Sequence, residues 1–240
     1  MPTRSKRSNT MSISRVTANP SSTAAGHHLE PDLVYGFDPL CGWCFGFIPA
    51  LEALVRQRPD MTVQLALGGL VTGERIRPYA ELAGYIKQSS ERLVQVTGQH
   101  LGAAFFERIL TRTDVLASSI APSAAILQVR QARPEKTLAF AHAVQRAHFE
   151  QGKDLNEPAI YADLLTQMAL DIAIELPPGQ QCPDFLTAEF RATRAMGIST
   201  FPTVLVRSDG GLKPLPTTYN PGDFITQVSS HLGDEAASYS

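Results

Sequence analysis

Cys41 and Cys44 stand three positions apart with Gly42 and Trp43 between them, and Pro39 precedes the pair by two residues. A Cys-x-x-Cys pair can exchange electrons, ligate a metal or simply pack, so its surroundings decide. Disulfide exchange needs one thiol that is accessible and readily ionised, and a second close enough to displace it from a mixed disulfide. A structural zinc site needs two further ligands, usually from a second Cys-x-x-Cys or a His pair. Only Cys182 and six scattered histidines are left to supply them, and no second pair has ligand spacing. Exchange chemistry is the stronger reading, and no metal is expected.

The elements around the pair fit that chemistry. "DLVYGFD" (32–38) reads as a buried strand, and Pro39 suits a first helical turn that runs on to Arg58 with its apolar groups mostly on one face. "MTVQLALGG" (61–69) alternates as a half-buried strand closed by two glycines. The cysteines therefore fall where a strand enters a helix within a βαβ unit. There, unpaired backbone N–H groups and aligned peptide dipoles favour negative charge. In Cys-x-x-Cys motifs such a setting lowers the attacking thiol from about 8.5 into a range of roughly 3.5–7.5. Cys41 is assigned as nucleophile and Cys44, one turn deeper, as resolving thiol.

Residues 75–196 repeat apolar groups at helical intervals and show no convincing strand; Ser118 or Ser119 and Asn156 mark helix starts. After them "FPTVLVRSDGGLKPLPTTY" (201–219) gives a hairpin, with strands over Thr203–Arg207 and around Leu212–Thr218, and a last helix follows over 221–232. The order is βαβ, a helical block, then ββα. A proline opening an apolar strand withholds a ladder donor. In a thioredoxin-type arrangement Pro202 would face the cysteines across a cis Phe201–Pro202 bond. The backbone of Phe201, within Thr200, Phe201 and Pro202, would then pair with an extended substrate strand.

These segments resemble the DsbA-like thioredoxin-fold oxidoreductases, close to the FrnE-type branch of dithiol–disulfide isomerases. The likeness rests on "YGFDPLCGWCFGF" (35–47), "GGLVTGERIRP" (68–78), "HFEQGKDLNEP" (148–158) and "MGISTFPTVLV" (196–206), in that order. It implies an α/β thioredoxin-like fold, a mixed sheet carrying a large all-helical insertion. It also implies catalysis by Cys41 and Cys44 within the motif of Pro39, Gly42 and Trp43, and a cis proline at Pro202. Gly-Trp stands where DsbA itself has Pro-His, which removes a histidine credited with stabilising the thiolate and argues against a strongly oxidising character. The carboxy-terminal cysteine pair of some FrnE-type members is also missing.

The chain divides on this reading into a disordered tail (1–31), a first part of the core (32–74), the insertion (75–196), a second part of the core (197–233) and a short tail (234–240). Net charge is −2, so no global positive field invites nucleic acid, and no apolar run is long enough to span a bilayer. Three cysteines are too few for a disulfide-built secreted scaffold, and the basic, polar start lacks the hydrophobic stretch of a secretory signal. A cytoplasmic address follows. The function expected is reduction, formation or shuffling of disulfides in protein or peptide substrates. No cofactor beyond the redox pair is implied, with glutathione or a thioredoxin system as electron donor. The competing enzyme class is a glutathione-dependent isomerase or transferase on the same fold, resembling the kappa-type transferases and hydroxychromene-carboxylate isomerases. Those tend to carry serine where Cys41 stands and lack a resolving thiol.

Three residues carry two readings each. Asp38 is a proton relay beside the thiols or, more simply, the acid that opens an Asp-Pro turn. Trp43 contacts substrate or braces the helix start. Cys182 is a small apolar filler before it is a redox group.

Overall fold

Leu33–Phe37 forms the central strand β1, and all five of its residues are buried. In the computed structural model, which describes residues 31–232, β1 pairs in parallel with β2 (Val63–Leu67) and antiparallel with β5 (Thr203–Ser208). β6 (Gly211–Leu215) closes the antiparallel hairpin, giving the order β2-β1-β5-β6. A parallel neighbour in the same sheet requires a crossover, supplied by α1 (Gly42–Gln57). Both faces of β1 are covered. Leu33, Tyr35 and Phe37 join the main core, while Val34 meets Ala66, Ile198 and Leu205. Gly36 is required by the second contact, since a Cβ there would lie 2.6 Å from Ile198 Cγ2.

The helical block follows β2. It comprises α2 (Tyr79–Thr97), α3 (Ala103–Arg108), α4 (Ile120–Ala132), α5 (Thr137–Phe149), α6 (Pro158–Gln167) and α7 (Asp184–Ala195). After the hairpin, α8 (Pro221–His231), capped by Asn220, lies along α1, with Phe47 set edge-on to Phe224 at 4.9 Å. The chain thus returns to its first sheet after a long helical excursion, the thioredoxin-like order expected for it.

Four local expectations are corrected. The block is not free of strand: β3 (Arg77–Pro78) pairs with β4 (Leu116–Ala117), a two-residue ladder that closes the base of α2. Such short pairings leave no periodic signal. Helix α1 starts at Gly42 and not at Pro39, because the chain first turns through a Cys41 N–H to Asp38 carbonyl bond of 3.0 Å. Nor does α1 have one apolar face. Cys44, Phe47, Leu51 and Leu54 enter the main core, while Phe45 and Ile48 enter a second one with Tyr79, Leu93, Phe105 and Phe149. A helix shared by two cores is buried all round. For the same reason β2 is half-buried only at its start: Leu65, Ala66 and Leu67 are all covered, with Ala66 facing Ile198. The amino-terminal tail before Pro31 and the carboxy-terminal tail from residue 233 lie outside the described residues, along with His27–His28 and the basic residues of the start.

Candidate active site

The site is assembled at the end of β1. Asp38 follows the strand and is wholly buried. Its Oδ1 accepts from the Leu40 N–H and the Ser119 hydroxyl, both at 2.9 Å, and its Oδ2 accepts from the Leu70 N–H at 2.6 Å. One carboxyl therefore joins the turn before α1, the segment after β2 and the start of α4. Burial raises its pKa to about 6, opposed by the Leu70 and Leu40 N–H groups, the Ser119 hydroxyl and the charge of Arg75. The Asp-Pro turn is real, with Pro39 buried in it, but the carboxyl also acts across the fold.

Cys41 is the N-cap of α1, in extended backbone geometry, and its Sγ accepts the Cys44 N–H at 3.3 Å. Sulfur thereby satisfies one of the orphan donors that every helix start presents. The Cys41 thiol also lies 3.3 Å from the Phe201 carbonyl, to which it donates. This bond spans 160 positions and brings the second sequence signal onto the first. The Phe201–Pro202 peptide bond is cis. Thr200 is exposed, and its carbonyl accepts from the Thr203 hydroxyl at 2.6 Å. Gly68 keeps the Phe201 ring in place: a Cβ there would stand 2.0 Å from Phe201 Cζ.

The two thiols are unbridged and differ in setting. Cys41 keeps 5% of its surface exposed and lines a cavity of about 400 Å3, whereas Cys44 keeps none. Burial pushes the Cys44 thiol well above its usual pKa, and its hydrogen bond with Cys41 and the charges of Cys41 and Asp38 push the same way. Gly42 and Trp43 are half-buried between them, and the Trp43 ring meets Tyr219 at 5.8 Å while also lining the cavity. Trp43 thus packs against Tyr219 at the helix start and also stands on the cavity wall. Cys182 is far from this arrangement in its bonding. It is half-buried and accepts from the Thr187 hydroxyl at 3.5 Å. Among the described residues no three His, Cys, Asp or Glu side chains group as metal ligands, and no helix is long and apolar enough to cross a membrane.

One participant escaped the sequence reading. The fully buried Gln145 of α5 shares its amide hydrogens among the carbonyls of Asp38, Pro39 and Cys41, at 3.2, 3.4 and 3.1 Å. A glutamine in a helical stripe gives no signal of contacts made over 100 positions away. It ties the loop bearing Cys41 to the helical block. Gln145→Met keeps the length and removes the donors. It is expected to lower unfolding free energy by roughly 1–3 kcal/mol, as buried acceptors lose their partner. Urea titration reads that loss.

No family model matches the chain, and no curated protein does. Solved structures do. The cytosolic disulfide reductase DsbM from Pseudomonas aeruginosa is 29% identical over 84% of this chain and 98% of its own, with a TM-score of 0.70. The same protein with GSH aligns at 27% identity and a TM-score of 0.69. A proposed protein disulfide isomerase from Nitrosomonas europaea is 26% identical over 85% of this chain and 96% of its own, with a TM-score of 0.65. The chain is a thiol–disulfide oxidoreductase, similar in fold and sequence to the DsbA-like enzymes. At 16% identity and a TM-score of 0.57, a probable DsbA oxidoreductase from Streptomyces coelicolor supports the fold of this oxidoreductase alone.

Proposed function

We propose that this oxidoreductase works chiefly as a reductase, with Cys41 as attacking thiol and Cys44 as resolving thiol. The asymmetry of the pair carries this reading. Cys41 sits at a helix start facing a cavity, while Cys44 is sealed beneath it with its ionisation opposed. The Cys41 thiolate attacks one sulfur of a substrate disulfide, and the other leaves as a thiolate that takes up a proton. Cys44 then gives up its proton and attacks Cys41 Sγ. The second substrate thiol is released, and the electron pair passes to substrate as Cys41–Cys44 becomes a disulfide. Two glutathione molecules restore the dithiol and leave as glutathione disulfide. The solved complex of DsbM with GSH supports glutathione in that role. If a second substrate thiol attacks the Cys41 adduct first, the outcome is shuffling without net reduction.

Thr200, Phe201 and Pro202 form the substrate-binding edge on this reading. The Phe201 carbonyl accepts the Cys41 thiol in the reduced state. Once Cys41 carries substrate it has no proton to give, and that carbonyl is free to accept an amide of an extended substrate segment. Cys44 has no task in the glutathione-transferase alternative, which the site therefore favours less. A reducing, cytoplasmic setting fits this direction of electron flow.

Redox titration of the pair against glutathione buffers tests the assignment. A single two-electron transition is expected, nearer the roughly −200 to −270 mV of glutaredoxins and thioredoxin than the about −120 mV of a strong oxidant. A midpoint at the oxidising end overturns the direction. Absence of a two-electron transition overturns the pair.

A further inference from the structure

We propose that the cavity beside Cys41 selects substrates that carry a large apolar side chain next to the disulfide, with an acidic residue adjoining it. This rests on the reductase reading and names what that site prefers. Cys41 and Trp43 form one wall, and Leu82, Ile86 and Phe105 of the helical block form others. Tyr79 adds ring surface only, because its hydroxyl is bonded to His148 Nε2 at 2.7 Å. A volume of about 400 Å3 is within the usual range for bound ligands and suits an aromatic or a pair of aliphatic side chains.

The charges at this cavity are all of one sign. Arg75 and Arg77 line it, and no aspartate or glutamate does. Arg75 donates to the Gly69 carbonyl at 3.0 Å and Arg77 to the Arg75 carbonyl at 3.4 Å. Among the described residues no carboxylate lies at ion-pair distance from either guanidinium. Arg75 also feels the buried Asp38 carboxyl, but neither guanidinium hydrogen-bonds a carboxylate, and two such cations beside an apolar chamber complement an anionic group on an otherwise apolar ligand. Tyr85, on the same lining, is 71% exposed, an aromatic ring with no core to serve. Glutathione brings carboxylates but no apolar body to displace water from these walls, so a peptide segment is the better occupant.

The test is a competition among disulfide-linked peptides of equal length, reduced by the full chain with glutathione as donor. The cysteine is flanked by Phe-Glu, Phe-Lys or Ser-Glu, and the quantity read is the ratio of kcat/KM between peptides on one enzyme. Such a ratio cancels any change in thiol chemistry. Phe-Glu is expected to lead each of the others by roughly tenfold. In the double variant Arg75→Gln, Arg77→Gln the preference for Glu over Lys falls to near one, and raised salt weakens it in the native protein. Ile86→Trp, which fills the chamber, abolishes the preference for Phe over Ser and spares that for Glu over Lys. If the native protein reduces all three peptides alike, or the variants leave the ratios unchanged, the cavity proposal falls alone. If it reduces none, the reductase reading falls with it.

Discussion

Cys44→Ser will accumulate as a covalent adduct with its substrate, joined through Cys41, while Cys41→Ser will form neither adduct nor product. The Cys41 sulfur lines the cavity and lies 3.3 Å from the Phe201 carbonyl, and Cys44 has no exposed surface. Substrate sulfur reaches the first and not the second. Once Cys41 is consumed, the group placed within the chain to attack and release it is the thiol one helical turn away, and a serine hydroxyl is not nucleophilic enough to attack a disulfide sulfur at neutral pH. Insulin-disulfide reduction should fall by at least about a thousandfold in Cys41→Ser, the scale of loss when a covalent nucleophile is removed. Non-reducing gels and peptide mass mapping of the Cys44→Ser protein should place the adduct at position 41. An adduct at Cys182, or reduction that survives in Cys41→Ser, reverses the assignment.

Acidification will reveal two buried groups that pull stability in opposite directions. His148 is neutral in the fold: its Nδ1–H donates to the Lys153 carbonyl at 2.9 Å, and its Nε2 accepts from the Tyr79 hydroxyl at 2.7 Å. Burial lowers its pKa to about 4. Between about pH 6.5 and 4 the unfolded chain therefore binds the extra proton, and stability is lost as pH falls, by roughly 3 kcal/mol. His142, buried beside Glu52 and lowered by its burial, acts in the same sense. Asp38 does the reverse. With its pKa raised to about 6 by burial, the folded state holds the proton more tightly. Its contribution is full below about pH 4 and is lost as pH rises through about 6, again by roughly 3 kcal/mol. Glu52, held at about 2 chiefly by His142, titrates below this window.

Urea unfolding from pH 4.5 to 7 separates these groups. Relative to the native chain, Asp38→Asn should steepen the rise of stability with pH, and His148→Gln should flatten or invert it. Asp38→Asn also sets an amide N–H against the Leu70 N–H, a pH-independent cost of roughly 1–3 kcal/mol. Parallel slopes in all three proteins would show that neither group titrates in this range.

Legibility in the sequence divides along the range of the interactions. Cys41-Gly42-Trp43-Cys44 is local, and so is the strand-to-helix junction that carries it, because turn and cap chemistry depend on neighbours a few residues away. The hairpin over 203–215 and the helical character of the middle block follow from periodicity in the same way. The limits of those elements are less legible. α1 begins after the turn that Asp38 organises, and its two buried faces need two cores that are distant in the chain.

The chemistry, then, was written in the sequence: two thiols one turn apart at a helix start, and a proline at the head of a later strand. The deeper seat of Cys44 and the approach of Phe201–Pro202 to the cysteines were legible too; tertiary structure alone decided that the Phe201 carbonyl accepts the Cys41 thiol. It alone made Asp38 a buried acid shared by three segments, and brought Gln145 to the loop carbonyls. The physical reason is that burial and hydrogen-bond partnership are properties of space. A residue's type announces what it can donate or accept, but the groups 80 to 160 positions away that meet it are fixed only when the sheet closes and the helical block packs against it.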